Sequence, residues 1–184
     1  MENKLYIYNN EFRIENAVKE DSLLKLEGYC AHWNKANLNH EVVDYKSFDN
    51  FFEMYNAGKL RPALNYNHSA DLIGGIDNLE RTDTGLYLKC HLNRNISLVR
   101  DMVEPCIEAG DLTSFSTEGY VEGGWDGITE LDNDNYYVKS FLLTAVAVVA
   151  VPADYDATFT VANILQNAPK QEPAKPRKSI VYMW

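Results

Sequence analysis

Basic residues are scarce in this chain: 17 lysines and arginines stand against 27 aspartates and glutamates, a formal charge of −10. Neutralising phosphates needs a basic face, so the balance argues against a nucleic-acid-binding protein. Cysteine is sparse too. Cys30, Cys90 and Cys106 are odd in number, widely spaced and free of any CxxC pair, which leaves no disulfide framework and no thiolate zinc site in view. Each lies in an apolar pattern, as buried thiols of a reducing compartment do. Long hydrophobic runs are missing. The longest, Phe141 to Ala153, is interrupted by Thr144 and Pro152 and is too short to span a bilayer. Met1-Glu2-Asn3-Lys4 does not read as a charged-then-apolar leader. There is no internal repeat, and nothing suggests a metal or an organic cofactor.

What is present is aromatic and strand-like. A chain of 184 residues with 46% apolar content is long enough for one domain with a real core. Twelve tyrosines and seven phenylalanines favour strands over a helical bundle. Leu5 and Ile7, Phe12 and Ile14, Leu24 and Leu26, and Tyr29, Ala31 and Trp33 alternate with other residues, with Asn9-Asn10 as a turn. Gly28 interrupts this pattern, as a bulge or a close backbone approach would. Leu86, Leu88, Cys90 and Leu92 alternate in the same way after the turn Thr82-Asp83-Thr84-Gly85. Further strands are expected around Thr113 to Val121 and from Tyr136 to Val151, separated by a turn from Gly123 to Gly127.

Two segments read as helices. Phe48, Phe51, Phe52 and Tyr55 form one apolar face within residues 44–58, with Asp44 or Ser47 to cap the start and Gly58 to end it. Leu98, Val99, Met102, Val103, Cys106 and Ile107 define a second helix over 95–109, which Pro105 should kink or shorten. The C-terminal stretch differs. Pro169, Pro173, Pro176, Lys170, Lys175, Arg177 and Lys178 make an extended linker, followed by the apolar peptide Ser179 to Trp184. The expected division is a folded domain over 1–166 and a tail over 167–184. The peptide either adds an edge strand to its own domain or docks to a partner or a second copy. The linker, which would hold it away from the core, favours docking.

Candidate chemistry lies in two segments about fifty residues apart. Tyr66-Asn67-His68 precedes Ile73-Gly74-Gly75, and Ser116-Thr117-Glu118-Gly119-Tyr120 follows Ile107 to Leu112. A serine hydroxyl is a poor nucleophile until a base takes its proton, and imidazole suits that task near neutral pH. Taken singly, His68 reads as a hydrogen-bonded surface residue and Ser116 as part of a polar strand end. Ser114 and Ser116 share a strand face, so both are candidate nucleophiles, and Gly119 offers a tight turn beside them.

The order of these elements resembles the prohead maturation serine proteases of tailed phages, over about Leu26 to Ala157. The resemblance rests on Leu26-Glu27-Gly28-Tyr29-Cys30-Ala31, Asp44 to Phe52, Leu64-Asn65-Tyr66-Asn67-His68 with Ile73-Gly74, Asp83-Thr84-Gly85-Leu86-Tyr87-Leu88, Ile107 to Tyr120, and Val146 to Ala153. It implies an α+β, mainly β fold similar to the herpesvirus capsid protease: a closed or partly open β-barrel flanked by two or three helices. It implies Ser116 as nucleophile and His68 as base. The acidic position of an L-x-E-V-S-x-V pattern falls on Ala145 here, and its small polar position on Ala147. Glu118 and Asp71 are the candidate replacements for that carboxylate, and a Ser–His dyad is a further option.

By the same resemblance the function is a serine endopeptidase of capsid maturation, cutting capsid and scaffold proteins and its own termini. It would work in the host cytoplasm, inside the immature prohead, with retention in the virion as a further expectation. Its partners would be those proteins and, among relatives of this fold, a homodimer; no nucleic acid and no membrane enters. The competing reading, resting on Ala145, is a protease-like structural protein of the virion or prohead.

Overall fold

The computed structural model describes residues 22–132 and 134–162. The expected strands at Leu5 to Ile14 and the whole C-terminal tail lie outside the described residues. Along the chain run β1 (Leu23–His32), β2 (Glu41–Val42), a 3-10 turn (Lys46–Phe48), α1 (Asp49–Asn56), β3 (Ala63–Tyr66), β4 (Leu72–Arg81) and β5 (Gly85–Asn93). A π-helical turn (Val99–Val103), α2 (Glu104–Ala109), β6 (Ser114–Val121), a 3-10 turn (Gly124–Gly127), β7 (Ile128–Glu130), β8 (Tyr136–Val138), β9 (Phe141–Val149) and β10 (Phe159–Val161) follow.

Seven strands form one sheet in the order β10-β1-β5-β4-β3-β9-β6, and β2, β8 and β7 form a small second sheet. The large sheet curls until its edges meet. Ser114 of β6 bridges Thr158, just before β10, with Phe115 N–H donating to the Ala157 carbonyl at 2.8 Å and Phe159 N–H to the Thr113 carbonyl at 3.0 Å. Among the described residues this is a mainly β, partly open barrel with two α-helices, in line with the closed or partly open barrel and two or three helices that the resemblance implies. Curling covers both edges over part of their length and removes them as pairing templates.

The interior follows from period-two alternation. Leu24, Leu26, Leu86, Leu88, Cys90 and Leu92 are all nearly inaccessible, and the register places Leu24 beside Leu92 and Leu26 beside Cys90. Phe48, Phe51 and Phe52 from the α1 region and Val99, Val103 and Ile107 from the second helical segment join the same core cluster. Burial pushes the Cys30 and Cys90 thiols well up, so both are inert hydrophobes at neutral pH. Cys106, expected to be buried, is only half-buried.

Local features refine the reading. The Asp44 carboxylate accepts the N–H groups of Lys46 and Ser47 at 2.8 and 2.9 Å and caps the first helical region. The α-helical part of the helix expected over 95–109 is shortened to Glu104–Ala109, with Pro105 in its first turn. The preceding turn widens to π geometry, with Glu104 N–H reaching back to the Val99 carbonyl. A widened turn absorbs the bond that proline cannot donate and the clash its ring would make. Gly28 marks a close approach: a Cβ there would lie 2.1 Å from the Thr158 carbonyl oxygen. The bulge of β1 comes later, between Tyr29 and Ala31. The expected strand from Tyr136 to Val151 breaks at Lys139-Ser140 into β8 and β9.

Candidate active site

β6 and β9 pair antiparallel, and β9 pairs parallel with β3. The register sets Ser116 opposite Ala147 and Ala147 beside Asn65, then Glu118 opposite Ala145 and Ala145 beside Ala63. Residues side by side on adjacent strands share a face. Phe115, Val146, Val148 and Leu64 occupy the other face and enter the core cluster. The face carrying Ser116 and Glu118 is therefore the outer one, and its middle strand offers only small side chains, Ala145 and Ala147.

His68 reaches this face from the turn after β3. Within the 67–71 connection from β3 to β4, Tyr66 to Ser69 form a β-turn in which Asn67 and His68 have φ of 51° and 56°, closed by Ser69 N–H donating to the Tyr66 carbonyl at 3.0 Å. Positive φ at both central positions defines a type I′ turn, for which asparagine at the first position is well suited. Histidine in this region is uncommon and costs about 1–3 kcal/mol. Asn67 N–H ties the turn to the Val148 carbonyl at 3.1 Å. From here the imidazole must cross β9, two strand spacings or about 10 Å from β3 to β6. The alanines of β9 leave that path open.

The result is one continuous line of hydrogen bonds. His68 Nε2 lies 3.0 Å from Ser116 Oγ, and His68 Nδ1 lies 3.0 Å from Glu118 Oε2. An ionised carboxylate only accepts, so Nδ1 carries the proton and Nε2 presents a lone pair to the serine hydroxyl, which donates. Ser116 is 3% exposed, whereas the His68 and Glu118 side chains are 39% and 43% exposed. A proton acceptor thus sits at the edge of solvent above a sheltered hydroxyl. The carboxylate, being solvated, acts in a higher effective dielectric than a buried one would. Beyond Glu118 the β6–β9 register shifts at Gly119, where a Cβ would come within 2.2 Å of the Leu142 carbonyl oxygen. The Glu118 carbonyl accepts from the Thr144 hydroxyl at 3.2 Å.

The other candidates lie apart from this line. Ser114 is buried, and its hydroxyl is 3.3 Å from that of Thr113. Asp71 stays within its own loop, where its carboxylate accepts from the Ser69 hydroxyl at 3.1 Å. A groove of about 620 Å³ passes His68 and Ser116 and is also lined by Cys30, His32, Leu38, Val151, Pro152, Ala153 and Asp154. The far wall, and the contact between His32 and Asp154 across 122 positions of sequence, escaped the sequence reading. Among the described residues, no group of three or more histidines, cysteines and carboxylates is placed to hold a metal ion, and no helix is long and apolar enough to cross a membrane.

Residues 10–171 match the family model of the caudovirus prohead serine protease. The chain belongs to this family. No curated protein sequence matches it. The fold of this prohead-protease member is similar to that of the bacteriophage T4 capsid assembly protease, with TM-score 0.54 and 16% identity over 68% of this chain and 80% of that one. It is also similar to the KSHV protease, solved in complex with a hexapeptide phosphonate inhibitor, with TM-score 0.51 and 10% identity over 74% of this chain and 64% of that one. At such identities the likeness speaks for the shared fold.

Proposed function

We infer that this chain is the endopeptidase of prohead maturation, acting on scaffold and capsid proteins inside the immature shell and on its own termini. The observation that carries the reading is the Ser116–His68–Glu118 line of hydrogen bonds beside an open groove. Ser116 Oγ attacks the scissile carbonyl carbon while His68 Nε2 takes the hydroxyl proton. The tetrahedral intermediate collapses as the imidazolium returns that proton to the leaving amine, which leaves an acyl-Ser116 ester. Water, deprotonated by His68, then attacks the ester, and the serine regains its proton. Glu118 holds the Nδ1–H tautomer and stabilises the imidazolium.

The alternative of a protease-like structural protein was motivated by Ala145, which leaves β9 without a carboxylate. Glu118 supports the enzyme instead, because it stands opposite Ala145 on the adjacent strand and on the same face. Co-expression with the cognate capsid and scaffold proteins, read by intact mass, tests the reading. Defined cuts that disappear with Ser116→Ala support it. Identical uncut masses from both chains, with the protein incorporated into shells, would leave only the structural role.

A further inference from the structure

The groove beside Ser116 has a second wall. Val151, Pro152, Ala153 and Asp154 line it after β9 ends, and these residues belong to no strand or helix. Such a run needs anchors if it is to present a fixed surface. Leu38 N–H donates to the Ala153 carbonyl at 2.8 Å, and Ala157 N–H to the Asp154 carbonyl at 3.0 Å. The strongest anchor is the Asp154 carboxylate. Its Oδ2 accepts twice from one residue at the end of β1, from His32 Nδ1 at 2.7 Å and from the His32 backbone N–H at 2.9 Å. Its Oδ1 accepts the Asp156 N–H at 3.1 Å and faces Lys35 Nζ at 3.7 Å.

This arrangement is sheltered. The side chains of His32 and Asp154 are 21% and 13% exposed, and the Tyr29 ring lies 5.0 Å from the His32 ring. A half-buried carboxylate without its donors would turn outward to water, because desolvation without hydrogen bonds is unfavourable. The wall would follow, since Asp154 is part of it. The contact ties the wall to β1: His32 ends the strand that carries Cys30 and Ala31, and all three line the groove.

We propose that His32 and Asp154 are positioning residues that fix the 151–154 wall as a substrate-binding surface, and so set the affinity for the polypeptide substrate without acting on the Ser116–His68 pair. The proposal rests on the endopeptidase reading of this groove. Both residues act through the wall, whereas Ser116 and His68 act on the scissile bond.

The test compares the full-length chain with Asp154→Ala, Asp154→Asn, His32→Ala and His32→Asn. Three readouts are taken: steady-state cleavage of the cognate scaffold protein, the rate at which a small fluorophosphonate labels Ser116, and amide hydrogen exchange. Asp154→Ala and His32→Ala should raise KM at least tenfold, with kcat within threefold and labelling within twofold of the parent. Asp154→Asn keeps an oxygen to accept both His32 donors, and His32→Asn keeps a side-chain N–H near the Nδ1 position. Both should hold KM within threefold. Unchanged KM in the alanine variants overturns the proposal. So does labelling that falls in step with cleavage, or conservative variants as impaired as the alanines. If the parent neither labels nor cleaves, the endopeptidase reading fails on its own account. Exchange then decides the wall: Asp154→Ala must speed exchange across 151–158 at least tenfold with 63–68 unchanged, and equal exchange overturns the anchoring.

Discussion

His68 and His32 line the same groove, and each holds a carboxylate through Nδ1, at 3.0 Å for His68–Glu118 and 2.7 Å for His32–Asp154. A third such pair, His91–Asp77 at 2.6 Å, joins β5 to β4. The pair at the candidate active site is the longest and the most exposed at its imidazole. What separates it is the second ring nitrogen. Among the described residues, the ring of His68 also reaches a hydroxyl, that of Ser116 at 3.0 Å. A histidine–carboxylate contact is therefore a common way to fix an imidazole. It becomes a proton-transfer device only where a nucleophile meets the other nitrogen. Exposure differs in the same sense, 39% for the His68 side chain and 21% for that of His32, which suits the proposed division between proton transfer and anchoring.

The comparison is broken most directly at the hydroxyl. Ser116→Ala and His68→Ala should each reduce cleavage of the cognate scaffold protein by about 10⁴-fold or more, and the double variant by little more than either single one, because the two act as a unit. Independent, multiplying losses measured in the same assay would contradict a shared proton transfer.

A smaller effect is expected at the carboxylate. Glu118 is exposed, so Glu118→Ala should cost roughly 10- to 100-fold in kcat, less than loss of a buried triad acid. Because Ala145 lies opposite Glu118 on the same face, Ala145→Glu in the Glu118→Ala background should restore several-fold of that loss. No recovery, in a variant with unchanged thermal midpoint, would show that the cross-strand position cannot serve His68.

Two further substitutions sharpen the contrast from outside the groove. Glu122 lies below its ordinary value of 4.5 because the Ser140 hydroxyl and the Asn50 amide donate to its carboxylate. The folded carboxyl binds its proton less readily than the unfolded one. Its stabilisation is therefore complete above the ordinary value and is lost as pH falls through the lower folded value. Ser140→Ala should cost about 1 kcal/mol at pH 7 and progressively less in acid, measured by denaturant titration at several pH values. A cost that does not change with pH would mean that the Ser140 hydroxyl does not lower Glu122. The smallest effect should come from His91→Ala, whose imidazole meets Asp77 away from Ser116. Cleavage within twofold of the parent is expected, and a large loss would undo the claim that the hydroxyl makes the difference.

Much of this frame is written in residue periodicity. Leu86, Leu88, Cys90 and Leu92 announce a strand with one buried face, and the aromatic stripe from Phe48 to Tyr55 announces a helix, because side-chain direction follows directly from local geometry. His68 and Ser116 could be singled out through the order of their motifs. The choice between Glu118 and Asp71 could not be made, since it depends on strand register: Glu118 shares the face of Ser116, whereas the Asp71 loop folds onto Ser69. The small β2-β8-β7 sheet was largely hidden because strands of two or three residues show no period. The widened turn before Pro105 was hidden because proline specifies a missing donor but not how the helix accommodates it. The His32–Asp154 contact joins residues 122 positions apart, and only the curling of the sheet brings them together.

The central claim is that His68 activates Ser116 in the folded chain. Its most direct test is covalent modification by a small fluorophosphonate, with the adduct mapped by peptide mass spectrometry and its rate followed against pH. The account predicts a single adduct on Ser116, formed through the neutral His68 imidazole and so faster as pH rises, absent in Ser116→Ala and slowed by orders of magnitude in His68→Ala. An adduct on another residue, or labelling of Ser116 at the same rate with and without His68, would contradict it.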